Sequence, residues 1–194
     1  MFNLPDIHSH DPNRAATAII NISPGDKIHD GVTYSAGIHP WDVPAATGTT
    51  IELLDRMCSH RQVVAIGETG LDALKGGELG IQTEIFRHHI QLSEKYRKPL
   101  IIHAVRTFPT IIGLKRQLCP EMPWIIHGFR GKPQLARELL NNGFYISLGE
   151  KFNPETAAVI PDDRLLTESD ESKLPISEII ARISAIRNRA DKHL

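Results

Sequence analysis

Residues 6–10 read Asp-Ile-His-Ser-His, which sets His8 and His10 two apart at the end of a short apolar segment. On an extended strand alternate side chains face the same way, so the two imidazoles project together with Ser9 opposed. That spacing suits chelation, but surface strands also carry such pairs by chance, so the pair needs partners. Other groups of the same chemistry follow apolar runs elsewhere in the chain: His39, Glu68, His103, His127, Glu168 and Asp170. Imidazoles and carboxylates together suit a borderline divalent ion such as Zn²⁺, Mn²⁺ or Ni²⁺. Four histidines (His8, His10, His103, His127) with Glu68 and Asp170 are more donors than one catalytic zinc uses. Two ions sharing a carboxylate and a hydroxide would account for them.

Residues so far apart in the chain need a fold that gathers them. Short β-branched runs recur between turn signals: FNLPDIH at the start, AIINI (18–22), VTYSAGI (32–38), VVAIG (63–67), LIIHAV (100–105), WIIHGF (124–129), FYISLG (144–149) and LLTES (165–169). Such runs read as buried parallel strands. Helical patterns lie between several of them. Ile81, Ile85, His89, Leu92 and Tyr96 share one helical face, KPQLARELLNNG has an early Pro133 and a terminating Gly143, and IELLDRM (51–57), 107–118 and an isoleucine stripe from Ile176 to Ile186 complete the set. Strands alternating with helices imply an α/β fold, and eight strands imply a (β/α)8 TIM-type barrel whose strand carboxyl ends meet at one mouth. The first two connections, about HDPNRAAT and SPGDKIHDG, are shorter than the dozen or so residues a crossover needs. A trimmed barrel is therefore expected, its first two crossover helices missing or reduced. Outward apolar residues on that thin flank, such as Ile19 or Ile20, would need cover from the terminal helix or from a second subunit in a homo-oligomer.

Composition places few further limits. The 194 residues carry a net charge of −1 and are 41% hydrophobic, as expected for one soluble globular domain over residues 1–194. No apolar run approaches the ~20 residues that span a bilayer, and the start lacks a signal-peptide profile. Cys58 and Cys119 stand apart without a C-x-x-C motif, which suits a reducing, cytoplasmic setting. Near-neutral charge argues against a protein that coats long nucleic acid.

Taken in order, DIHSH, GIHPW, AIGETGLD, Gln82 with Phe86, PLIIH, IHGF-x-G and LLTESD resemble the TatD-like metal-dependent hydrolases, amidohydrolase-like barrels known largely as deoxyribonucleases. The resemblance covers residues 6–170. It implies a first metal on His8, His10 and Asp170, a second on His103 and His127, and Glu68 bridging the two. Asp170 would also handle the proton of the attacking water, so Asp170 and Glu68 are the catalytic carboxylates. The implied cofactors are two divalent ions: Zn, Mn, Ni or Mg. The chain also departs from the family. Members are usually longer, often carry a second histidine at Trp41, and in many cases place an arginine two residues after the strand-5 histidine, whereas Arg106 comes three after His103. DESKLPISEI contains neither the proline-tyrosine pair nor the Arg-Asn-Glu-Pro segment usual after the final aspartate.

His39 could approach substrate, as the family position is thought to, or be a loop histidine fixed by Pro40. Glu168, deeper than Asp170, could be a ligand or a buried partner of an arginine or histidine. His89, on its apolar stripe, suits hydrogen-bonded packing. GETGLDALKGGELG lacks a G-x-x-x-x-G-K-[ST] pattern and reads as a flexible loop. Arg106, Arg130, Lys132 and Lys151 follow strands 5 to 7 and either fringe the mouth as phosphate-binding cations or are ordinary loop charges. The expectation that results is a hydrolase of phosphoester bonds using a metal-bridging hydroxide, acting on single-stranded DNA ends or small phosphodiesters. The alternatives are an amidase or lactonase on the same metals, or a weakened barrel that binds without catalysis.

Overall fold

In a computed structural model that describes residues 2–190, eight parallel strands pair in chain order: β1 Asp6–Ser9, β2 Ala18–Ile22, β3 Tyr34–Ala36, β4 Val63–Asp72, β5 Leu100–Val105, β6 Trp124–Ile126, β7 Tyr145–Leu148 and β8 Leu165–Thr167. The helices are α1 Gly48–Cys58, α2 Leu79–Tyr96, α3 Phe108–Leu118, α4 Pro133–Asn141, α5 Pro154–Ala157 and α6 Ile176–Ala190. The sheet nearly closes on itself. Just past β8, the Asp170 amide donates to the His8 carbonyl at 2.9 Å, and the His10 amide donates to the Asp170 carbonyl at 3.2 Å. The buried Asp6 carboxylate accepts from the Ser169 amide at 2.9 Å, standing in for a strand acceptor across the same seam. This is the trimmed barrel expected from the sequence. A 3₁₀ turn at Pro12–Arg14 takes the place of the first crossover helix, and among the described residues none forms between β2 and β3.

Successive strand residues divide between two apolar layers, as the period-2 alternation of a strand requires. Ile7, Ile19, Ala65, Ile101 and Ile125 form the inner layer, while Ile20, Ile102 and Ile126 join the outer one with Leu54, Phe86, Ile111, Leu139 and Ile183. Each fully buried isoleucine contributes about 1.5–3 kcal/mol of transfer free energy. Two expectations for the thin flank are corrected. Ile19 faces the barrel interior, and Ile20 is buried within a single chain, in a cluster shared with Ile28 and Val32 of the β2–β3 loop. The terminal helix packs on α5 and β8 instead. Among the described residues no helix is long and apolar enough to cross a membrane.

β4 is twice as long as its apolar run. The segment expected to be loop continues as strand to Asp72, paired with β5 from Thr69↔Ile102 to Asp72↔Val105. Gly67, at φ +133°, makes this possible, because a β-carbon there would collide with the Ile101 carbonyl. β6 is shorter than its run, so His127 stands just beyond the strand, its amide donating to the Ile102 carbonyl at 3.1 Å.

His89 shows how α2 positions the mouth. Its ring is buried on the apolar stripe, and Nε2 accepts from the Ile38 amide at 2.9 Å, anchoring the turn that leads to His39. Burial pushes its pKa down to about 4 from 6.5. The folded protein therefore keeps the ring neutral between those values while the unfolded chain takes up a proton. Stability from this residue is complete above pH 6.5 and falls by about 3 kcal/mol as pH drops to 4. Urea unfolding of chelator-treated protein at pH 7 and pH 4.5 should show this loss, and His89→Gln should reduce it. An identical pH dependence in the variant would contradict the assignment.

Candidate metal centre

The strand ends converge on one buried carboxylate. Glu68 is only 3% exposed, and five imidazoles surround it. Its Oε2 lies 3.2 Å from His8 Nε2 and 3.4 Å from His10 Nε2. Its Oε1 lies 2.8 Å from His103 Nδ1, 2.7 Å from His127 Nε2 and 3.2 Å from His39 Nε2. Asp170 Oδ1 stands 3.9 Å from His8 Nε2 and 3.7 Å from His10 Nε2. The groups thus separate into two sets that share Glu68: His8, His10 and Asp170 on one oxygen, His103 and His127 on the other.

The outer hydrogen bonds decide which ring nitrogens face inward with a lone pair. Asp72 Oδ2 lies 3.2 Å from His103 Nε2 and Glu168 Oε1 lies 3.2 Å from His127 Nδ1. Each carboxylate accepts a hydrogen bond from the ring N–H, which leaves His103 Nδ1 and His127 Nε2 as free lone pairs directed at Glu68. Lone pairs 2.7–2.8 Å from a carboxylate oxygen repel it unless a cation stands between them. His8 is fully buried and neither of its ring nitrogens has a hydrogen-bond partner. An orphan of that kind costs about 1–3 kcal/mol unless something ligates it. The donor set therefore fits divalent metal: His8, His10 and Asp170 converge closely enough to hold an ion, and Glu68 does so with His8 and His127 and again with His39 and His103. His39 differs. Its Nδ1 accepts from the Trp41 amide at 3.1 Å, so its proton sits on Nε2 and points inward. His39 is a hydrogen-bond donor to the centre.

Without metal, protons fill the same gaps. Burial pushes the Glu68 carboxyl up, yet His127, His10 and His103 together hold it well below the usual range. Burial likewise opposes charge on His127, but Glu68 and Glu168 raise its pKa well above normal. The Glu68 hydrogen bond raises His10 against a smaller burial penalty.

Backbone packing fixes Glu68. Its amide donates to Asn21 Oδ1 at 2.7 Å, and a β-carbon at Gly37 would collide with its carbonyl oxygen. Asp170 sits at φ +52°, a left-handed conformation that turns its side chain away from strand geometry. Arg130 and Lys151, with Glu150, Asp170 and Lys173, line a cavity of about 390 Å³ beside the centre. Lys132 does not: it lines a neighbouring shallow depression with Pro133 and Asn153. Arg106 is exposed at φ +55° and lines neither. Glu168, open between two readings in the sequence, is paired to His127. Sequence reasoning missed Asp72, Asn21 and Lys173. Asp72 was hidden inside a stretch that reads as loop, and Asn21 gave no chemical signal.

Residues 12–177 match the family model described as TatD related DNase. An uncharacterized metal-dependent hydrolase of Buchnera aphidicola is 37% identical over 157 residues, covering 76% of this chain and 59% of that protein. The 3′-5′ ssDNA/RNA exonuclease TatD of Cronobacter sakazakii is 29% identical over 170 residues, covering 82% of this chain and 65% of that one. The chain thus spans about 59% of the length of the first of these curated relatives. In structure it is similar to a TatD homologue of Escherichia coli, YjjV, with a TM-score of 0.81 at 22% identity, over 97% of this chain and 92% of that one.

Loading divalent metal at pH 7 should displace protons from His10 and His127, measured by calorimetry in buffers of different ionisation enthalpy. Elemental analysis should find about two equivalents in the protein and fewer in Glu68→Gln. Unchanged metal content in that variant would remove Glu68 from the ligand set.

Proposed function

The chain belongs to the TatD-related DNase family of metal-dependent hydrolases, and on that premise we propose that it cleaves phosphoester bonds in single-stranded nucleic acid ends or small phosphodiesters. One observation carries the reading: a single buried carboxylate offers both oxygens to two imidazole pairs, with Asp170 beside one pair. That arrangement supports a dinuclear hydrolytic centre. The exonuclease name borne by the Cronobacter relative supports the choice of nucleic acid.

In this reading His8, His10, Asp170 and Glu68 Oε2 would hold one ion, and His103, His127 and Glu68 Oε1 the other. Bound there, divalent metal would acidify water and neutralise charge that grows on the phosphoryl group. The chain supplies the rest. Asp170 is the most exposed carboxylate of the cluster, at 27%, and takes the proton of the attacking water and returns it to the leaving oxygen. His39, locked as an Nε2–H donor, hydrogen-bonds a phosphoryl oxygen. Arg130 and Lys151 hold a neighbouring phosphate in the cavity beside Asp170. An amide or lactone would meet the same nucleophile, but it would leave those two cations unused.

Assays of a labelled oligonucleotide, bis-(4-nitrophenyl) phosphate and a panel of lactones and amides, with Mn²⁺ or Zn²⁺, compare the two readings directly. Turnover is expected on the phosphodiesters. Turnover of a lactone or amide with none on a phosphodiester would overturn the proposal. Asp170→Asn should lower kcat by about 10²–10⁴-fold. Arg130→Ala should raise KM about ten-fold and leave kcat nearly unchanged, as expected for binding felt equally in ground and transition states.

A further inference from the structure

The mouth is chemically lopsided. Arg130, Lys151 and Lys173 line the cavity after β6–β8, whereas four of the five exposed large apolar side chains among the described residues, Trp41, Leu74, Leu79 and Ile81, follow β3 and β4. Among these Trp41 alone is held in place at the centre. It is 47% exposed, and its indole Nε1–H donates to Asp72 Oδ2 at 2.7 Å. That oxygen is the one that accepts the hydrogen bond from His103 Nε2. The His39 ring stands edge-on to the indole, with centroids 4.8 Å apart at 85°. Lys75 Nζ lies 3.9 Å from the indole centroid. The loop carrying Lys75 is also fixed: the Leu74 and Lys75 amides donate to Asp72 Oδ1, and Gln82 Nε2 donates to the Asp72, Lys75 and Gly77 carbonyls.

A rigid exposed aromatic beside an ammonium is the pair that single-stranded nucleic acid uses, because every base has a stackable face and every linkage a phosphate. An aromatic ring adds nothing to the recognition of a bare phosphodiester. We propose that Trp41, clamped by Asp72 and flanked by Lys75, is a base-stacking subsite beside the centre, so that an unpaired nucleobase is part of what the protein recognises. The inference rests on the phosphoester reading and narrows it. A base that stacks on the indole takes the place of the Lys75 ammonium, which then meets the adjoining phosphate. A base held in a duplex has its faces occupied by neighbours, so the subsite selects frayed or single-stranded ends.

The chain has two tryptophans, and Trp124 is fully buried, so surface quenching of tryptophan emission reports on Trp41. The metal-loaded protein is titrated with a nuclease-resistant phosphorothioate oligonucleotide and with its abasic counterpart of equal charge. The base-bearing strand should quench, the abasic strand should not, and Trp41→Phe should abolish the effect. In parallel, the kcat/KM ratio for the cleavable base-bearing and abasic oligonucleotides should be about ten in the protein and fall toward one in Trp41→Leu. Equal quenching by both strands, or a ratio that Trp41→Leu leaves unchanged, would overturn the subsite. Base-dependent quenching without cleavage of any phosphodiester would support the subsite and overturn the phosphoester reading instead.

Discussion

Everything at the mouth depends on one buried negative charge. A carboxylate as enclosed as Glu68 would normally take up a proton and become neutral. Here His127, His10 and His103 prevent that, and two of these rings are oriented by outer acceptors: Asp72 behind His103, Glu168 behind His127. The barrel supplies geometry that no single helix or hairpin could, since the donors come from β1, β4 and β5 and from the turns after β1, β3, β6 and β8. Positive charge on these rings balances Glu68, so a proton and a divalent ion would compete for the same few ångströms.

Much of this was legible in the sequence because apolar runs and chemical groups alternate in register. DIHSH, LIIHAV and WIIHGF each announce a strand and a donor at its end. The bounds fail where glycine is involved. ETGLD reads as loop because its residues have poor strand propensity, yet Gly67 and Gly70 are in β4 since no other residue lets the backbone pass β5 so closely. Asp72 was missed for that reason, and with it the tie between Trp41 and His103. Supporting residues such as Asn21 leave no pattern at all, since their role is set by who lies across the barrel. Lys132 lines the depression that adjoins the cavity and shares Arg130 and Lys151 with it, a division that sequence proximity to a strand end does not reveal.

The trimmed first crossovers change the flank but leave the mouth intact. Ile20 is buried within the single chain although, among the described residues, no α-helix forms between β1 and β2 or between β2 and β3. The loops that carry chemistry follow β3, β4 and β6–β8, and the short first connections leave His8, His10 and Asn21 in place at the mouth.

Those two histidines also lie at the seam. Asp170 joins β8 to β1 through its own backbone, donating to His8 and accepting from His10, while its side chain faces the same two rings. Parting the seam and dismantling one half of the centre are therefore a single event. An ion held by these three residues would act as a clasp on the first and last staves of the barrel. Its occupancy would couple to local opening of the cylinder, and that opening to exchange of the ion.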